Sequence, residues 1–292
     1  MTNIDEWTIT NAVLAAQAAC TNSRLKVVMA SLVRHLHDCA REVQLTEAEW
    51  GLMIKFLTDV GHITDDKRQE FILLSDVLGI STLVTAQNNA KPQGCTESTV
   101  FGPFFVEDAP HFQNGDDISN GAKGVPCYVS GRVKGLSGAV IADAEISVWQ
   151  SDADGFYDVQ LGAGDRHQAR GNLRSLADGQ FFFRSILAVP YPIPADGPVG
   201  KMLAALGRHP WRPAHLHFMI KAPGYETLIT HIFREEGKYL DSDAVFGVRS
   251  SLIAHWEEKK GGMTPHGEHS DSPFYVLNYD FVLNPKSSPN AS

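Results

Sequence analysis

The segment RPAHLHF, Arg212 to Phe218, sets two histidines one residue apart inside a run of strand-forming residues. Along a strand the side chains alternate faces with a period of two, so His215 and His217 project the same way and both imidazoles can reach one ion. The chain carries its own contrast. RHLHD repeats the spacing at His35 and His37 within a strongly helical stretch, where residues i and i+2 point about 200° apart around the axis. That first pair reads as helix surface or interface.

Taken alone, His215 and His217 suit hydrogen-bonded strand histidines as well as metal ligands, so other ligand types decide the reading. A cupin site would want a glutamate shortly after the second histidine, where Lys221 and Ala222 stand. The H-x-D string His269 to Asp271, of the kind used by two-histidine-one-carboxylate iron sites, falls in a loop rich in glycine and serine. His231, in LITHIF, offers a third imidazole from a later strand, and three histidines with water would hold zinc in a hydrolase or hydratase. A β-sandwich carrier of small aromatic molecules, without catalysis, is the rival from another class. Arg212, three residues before His215, is a cation that cannot lose its proton at working pH. It can stabilise anionic charge on a substrate, or it can sit in a surface salt bridge.

Two textures must position these residues. From about residue 8 to 90 the pattern is helical: Leu25, Val28, Met29, Leu32, Leu36 and Val43 recur at steps of three, four and seven and draw one apolar stripe. Ser23 is the expected N-cap of that helix. Thr46 and Glu49 have capping-box spacing for a second helix closing at Gly61. A third ends at Gly79, and a short helical piece follows toward Asn88. Residues 92–124 read as a long connecting loop, and loops of that length usually cover a site. From 125 to 285 come short strands such as YVSGRV, AEISVWQ, QFFFRSI, LHFMI and TLITHIF, with Asp-Gly turns at Asp154-Gly155 and Asp178-Gly179. That is the signature of an all-β sandwich. The expected class is therefore α+β, a helical N-terminal domain over 1–91 followed by a sandwich, with 286–292 a mobile tail.

Composition limits the function. At 292 residues, 43% apolar and 20% charged, the chain can bury a sizeable core in two domains. A formal charge of −9 disfavours phosphate backbones and anionic lipid surfaces, so neither nucleic acid nor membrane is an expected partner. Cys20, Cys39, Cys95 and Cys127 form no C-x-x-C pair, which suits reduced thiols in a cytoplasmic protein.

The strings VWQSDADGFYDV, AVPYPIPADGPVGKML and LGRHPWRPAHLHFMIKAPGYETL together resemble the intradiol ring-cleavage dioxygenases, non-haem iron(III) enzymes that open catechols between their two hydroxyls. The likeness spans nearly the whole chain. It implies that Tyr157 and Tyr191 join His215 and His217 as ligands of one Fe(III) per chain, a hard ion that favours anionic oxygen donors and can deprotonate a phenol. It also implies that Tyr191 leaves the metal when substrate binds, that Arg212 is catalytic, and that O2 is the co-substrate. A homodimer built by the N-terminal helices, with a lipid in its apolar surface, is a further implication.

Within the family, VPYPIP and TVFGPFF resemble the branch that cleaves hydroxyquinol, benzene-1,2,4-triol, to 3-hydroxy-cis,cis-muconate and its tautomer maleylacetate; cleavage of catechol or chlorocatechol is the alternative. That likeness places Leu73, Asp76, Val100, Phe101 and Gly102 in the substrate pocket. Pro103, Phe104, Ile193, Pro194 and Val245 complete it, together with Arg212. Asp76 in LLSDVLG is either a carboxylate bridging near a helix end or the acceptor for the third substrate hydroxyl, which catechol lacks.

Overall fold

The computed structural model describes residues 3–65, 68–161 and 167–286. The tail expected at 286–292 therefore lies, after Lys286, outside the described residues. The chain divides into two compact units, Met1–His62 and Ile63–Ser292.

The first unit is helical, with α1 (Ile9–Ala16), α2 (Ser23–Glu42) and most of α3 (Glu47–Ile63). Asn22, not Ser23, is the N-cap of α2: its backbone is extended and its side chain accepts from the Leu25 N–H at 2.9 Å. Ser23 is the first helical residue. The Thr46/Glu49 capping box is present, with Glu49 accepting from the Thr46 N–H at 2.9 Å and Thr46 accepting from the Glu49 N–H at 3.3 Å. Contrary to expectation α3 runs through Gly61, which carries no left-handed φ and so does not stop it. His35 is exposed, and His37 meets Thr10 Oγ1 at 2.9 Å. On α2, Leu25, Val28, Leu32 and Leu36 are all exposed.

The second unit opens with α4 (Glu70–Val77) and α5 (Ile80–Asn88), parted by Gly79 at φ +76°. The compact division thus falls inside the stretch 1–91, and α4 goes with the sheets because Leu73, Asp76 and Val77 are buried. Residues 89–125 form no helix or strand beyond isolated bridges at His111 and Asp117.

The strands that follow are β1 (Pro126–Gly135), β2 (Glu145–Trp149), β3 (Arg170–Arg174), β4 (Gln180–Ile186), β5 (Tyr191–Pro192), β6 (Trp211–Arg212), β7 (His215–Lys221) and β8 (Leu228–Arg234). After them come β9 (Ile253–Ala254), β10 (Trp256–Lys259), β11 (Gly262–Met263), β12 (His269–Ser270), β13 (Phe274–Asn278) and β14 (Phe281–Leu283). One sheet runs β10-β13-β1-β14 with β4 also on β1, and the other runs β3-β2-β7-β8-β9. Between β5 and β6 lies α6 (Pro198–Ala205), a helix the strand texture does not announce. Pro198 at its first turn is preset for a helical start.

The two sheets enclose one core. Val129, Phe181, Phe183 and Phe281 come from the first sheet, and Ile146, Val148, Leu216, Phe218 and Ile232 from the second. In β7 the period of two sends Leu216, Phe218 and Ile220 into this core, which turns His215, His217 and Met219 to the opposite face. That outer face is buried as well. The long loop lies on it, its Thr99 N–H donating to Ile229 O at 3.0 Å and its Phe104 and Phe105 packing beside Trp149, Tyr157, Tyr191 and Met219.

Candidate active site

His215 and His217 stand side by side on the outer face of β7 with their Nε2 atoms 3.1 Å apart. The His215 Nδ1–H donates to Pro213 O at 2.7 Å, which leaves Nε2 as the lone-pair nitrogen. Trp149, paired with His217 across β2 and β7, stacks on its ring at 4.8 Å and fixes the ring plane. Gly102 in the covering loop has φ +76°, and a Cβ there would come within 3.4 Å of the His217 ring. A larger residue would be strained at that φ and would crowd the imidazole.

The two tyrosines arrive from a loop and from a two-residue strand. Tyr157 follows the Asp154-Gly155 turn, is fully buried, and places Oη 2.9 Å from His217 Nε2. Phe104 stacks on its ring at 4.3 Å. Tyr191 comes from β5, whose partner β6 pairs it with Arg212. Its ring lies 5.3 Å from that of Tyr157 and 5.5 Å from that of His215.

Arg212 is buried at the centre of the group. Nη1 lies 3.3 Å from both Tyr191 Oη and His215 Nε2, and Nη2 lies 3.5 Å from His231 Nδ1. Asp243 holds the other side of the guanidinium, at 3.1 Å to Nε and 3.2 Å to Nη2. The surface salt bridge that the sequence leaves open for Arg212 is thus a buried one. Asp243 is itself fixed by the Gly247 N–H at 2.9 Å.

Electrostatics follow from burial. Burial, then the Arg212 charge, pushes His215 down to about 3. Burial, then neighbouring imidazoles, holds His217 and His231 well below the ordinary range. All three rings are therefore neutral at physiological pH, the state in which imidazole binds metals. Burial, then the proximity of Tyr191, raises Tyr157 well above the usual phenol range. Burial would lower Arg212, but the charges of Asp243 and Tyr191 outweigh it and raise the guanidinium.

This donor set fits a metal ion. Two lone-pair nitrogens and two phenol oxygens converge in a buried site, where Tyr157 ionises only if a cation compensates it. His217 Nδ1 and His231 Nε2 are buried with no hydrogen-bond partner. His231, opposite His217 on β8, also forms a three-imidazole group with His215 and His217, ligand atoms within 4.8 Å of one another. His269 and Asp271 form an exposed surface pair instead, 3.4 Å apart.

The expected pocket residues fall into two groups. Leu73, Pro103, Phe104, Ile193 and Pro194 line a cavity of about 510 Å³. Asp76, Val100, Phe101, Gly102, Arg212 and Val245 do not line it: Asp76 is buried near Ser81 and Arg212, and the Val245 N–H donates to Asp243 at 3.3 Å. Burial raises Asp76 above its ordinary value, against the Ser81 hydroxyl and the Arg212 charge, which lower it. Val100 is buried, and the Phe101 ring sits 5.8 Å from that of Trp149.

Three contributors lay beyond the sequence reading. Asp243 and Trp149 carry no spacing signal. Arg170 sits in β3, a strand not read from the sequence, and forms a buried ion pair with Asp158, next to Tyr157, while donating to Phe104 O at 2.9 Å.

Comparison with known proteins gives a consistent family. Residues 22–96 match the family described as catechol dioxygenase N terminus, and residues 100–285 match the dioxygenase family. The chain is 60% identical over 285 residues to 6-chlorohydroxyquinol 1,2-dioxygenase of Cupriavidus pinatubonensis, covering 98% of this chain and 99% of that one. It is 52% identical to hydroxyquinol 1,2-dioxygenase of Nocardioides simplex, with 96% of each chain covered. Among solved structures, hydroxyquinol 1,2-dioxygenase from Pseudomonas putida DLL-E4 superposes with a TM-score of 0.89 at 45% identity, over 96% of this chain and 99% of that chain.

Proposed function

The chain belongs to the intradiol ring-cleavage dioxygenase family, and from that membership we propose that it opens hydroxyquinol with O2 between adjacent hydroxyls, giving 3-hydroxy-cis,cis-muconate and its tautomer maleylacetate. The observation that carries this reading is the convergence of Tyr157, Tyr191, His215 and His217 around Arg212 in one buried site. Those four side chains would hold one non-haem Fe(III) per chain. When bound, the ion supplies an electron sink for the catecholate, which activates the ring toward O2.

The protein's own groups do the rest. Tyr191, on a two-residue strand beside Arg212, is placed to take a substrate proton at Oη. Arg212, preorganised by Asp243, stabilises the anionic oxygen that develops on the substrate. Leu73, Pro103, Phe104, Ile193 and Pro194 grip the flat ring and exclude water. Asp76, buried off that cavity beside Ser81 and near Arg212, is the acceptor for the third hydroxyl in this reading, met from the Arg212 side of the site rather than from the cavity wall. A three-histidine zinc hydrolase accounts less well for the site, because His231 already faces the Arg212 guanidinium and two phenols complete the ring of donors.

No single helix among the described residues is long and apolar enough to cross a membrane, and the four cysteines are free, which suits a reducing cytoplasm. The exposed apolar stripe of α2 supports a homodimer formed through an N-terminal helical domain, residues 1–91, and a lipid bound against that apolar surface belongs to the same reading. The test is kcat/KM for hydroxyquinol against catechol, corrected for autoxidation, beside metal analysis. A clear hydroxyquinol preference with about one iron per chain is expected. Equal values would refute the substrate, and zinc without visible absorption would refute the chemistry.

A further inference from the structure

The start of α6 is capped from outside its own segment. Gly197 occupies the N-cap without a side chain to offer, and the first free helical N–H, that of Val199, donates at 3.1 Å to Glu70 on α4. Glu70 is fully buried, and its other carboxylate oxygen accepts from Arg68 Nε at 3.0 Å. The same guanidinium reaches across to Asp196 with two parallel bonds of 2.9 Å. A Cβ on Gly197 would lie 2.5 Å from Glu70 Oε1 and 2.6 Å from Arg68 Nη2, so the bare backbone there is what lets the charged pair press in.

These contacts join the two walls of one cavity. Leu73, one turn beyond Glu70 on α4, forms one wall, and Ile193 and Pro194, just before Asp196, form the other. We propose that Arg68 and Glu70 are positioning residues that lock α4 to the 193–199 segment and so set the width of the ring slot, which selects among hydroxyquinols by the size of their ring substituents. The inference rests on the ring-cleavage reading above. Its chemistry is steric: a loosened clamp lets the walls part, weakens the grip on the unsubstituted ring and makes room for a chlorine.

The experiment compares Arg68→Met, Asp196→Asn and Glu70→Gln with the parent, using hydroxyquinol, a ring-chlorinated hydroxyquinol and, without O2, the binding of a nitrocatechol read from its own absorbance. Arg68→Met should raise KM for hydroxyquinol roughly 3–10-fold with kcat within about two-fold, a scale set by the 10–200-fold that a full methylene is worth in a pocket. KM for the chlorinated substrate should hold or fall, and iron content should be unchanged. Glu70→Gln, which keeps an acceptor for Val199, should shift selectivity less, and Arg68→Lys should restore only part of it. An unchanged selectivity ratio in Arg68→Met, or an equal fall in kcat for both substrates, overturns the proposal. Should that variant fail to fold, Asp196→Asn decides, since the Asp196 side chain is 72% exposed and an unchanged ratio there overturns it equally. A parent that turns over no hydroxyquinol would sink the substrate reading, while the nitrocatechol affinities of the variants would still judge the clamp.

Discussion

Replacing Arg170 with methionine tests how the tyrosine side of the site is held. Arg170 and Asp158 have side chains only 2% and 4% exposed, and the guanidinium donates to the carboxylate from Nε at 3.0 and 2.8 Å and also from Nη2. The Phe104 carbonyl is its second partner. Breaking a buried pair by removing one member typically costs about 3–5 kcal/mol, because the remaining charge is stranded. Asp158 keeps the N–H groups of Val159 and Gln168 at 2.9 and 3.0 Å, which places the expected loss toward the lower end. At roughly 2–4 °C per kcal/mol for a domain of this size, a loss of about 3–4 kcal/mol should lower Tm by about 6–16 °C. Calorimetry or a fluorescence melt of the metal-loaded protein reads this directly. Asp158→Asn should destabilise as well, and the double variant by less than the sum, with a coupling of about 0.5–3 kcal/mol. A single Arg170→Met variant melting within ~2 °C of the parent would refute the reasoning, since the pair would then add nothing beyond what water offers.

The other predictions concern single groups. Arg212→Leu should retain iron and lose on the order of 10²- to 10³-fold in kcat, and turnover within a few-fold of the parent would make the guanidinium structural. Tyr157→Phe should lose both iron and the visible phenolate band, whereas replacing His35 and His37 should change neither; metal analysis and absorbance decide. Cys127 is fully buried and burial pushes its thiol far above the usual range, so mass spectrometry of alkylated native protein should find Cys127 untouched and modified only after denaturation. Hydrogen bonding to Glu235, then its charge, raises His255 above its ordinary value. Any stability from this surface pair is complete below the unfolded value near 6.5 and fades as pH rises through the folded one. NMR titration should show His255 falling toward 6.5 in Glu235→Gln.

Local periodicity explains what the sequence could disclose. The alternation of His215, Leu216, His217 and Phe218 shows which side chains share a face, and the Asp-Gly turns appear with Gly155 and Gly179 at φ +86° and +77°. Partners from distant elements have no such mark. Asp243 meets Arg212 and Arg170 meets Asp158 only because strands and loops far apart in the chain are brought together, and nothing near either residue announces it. Helical periodicity likewise marks helices from about residue 8 to 90 without dividing them into units, so the break at residue 62 is invisible to it. Asn22 and Ser23 are both competent caps by residue type, and only the extended backbone at Asn22 decides between them.

The position of β1 has a consequence for how the chain reaches this structure. β1 pairs with β4 soon after it is made, but its other neighbours, β13 and β14, are the last strands of the chain: Cys127 waits for Tyr275, and Val133 for Phe281. During synthesis an apolar edge of β1 therefore stays open until the final strands emerge, while the histidine sheet, β3-β2-β7-β8, can pair earlier from segments that lie closer together. Pairings of such long reach are slow to close and leave edges that recruit other chains. Chains cut short before β13 should therefore aggregate rather than fold, even though every residue of the active site has already been translated.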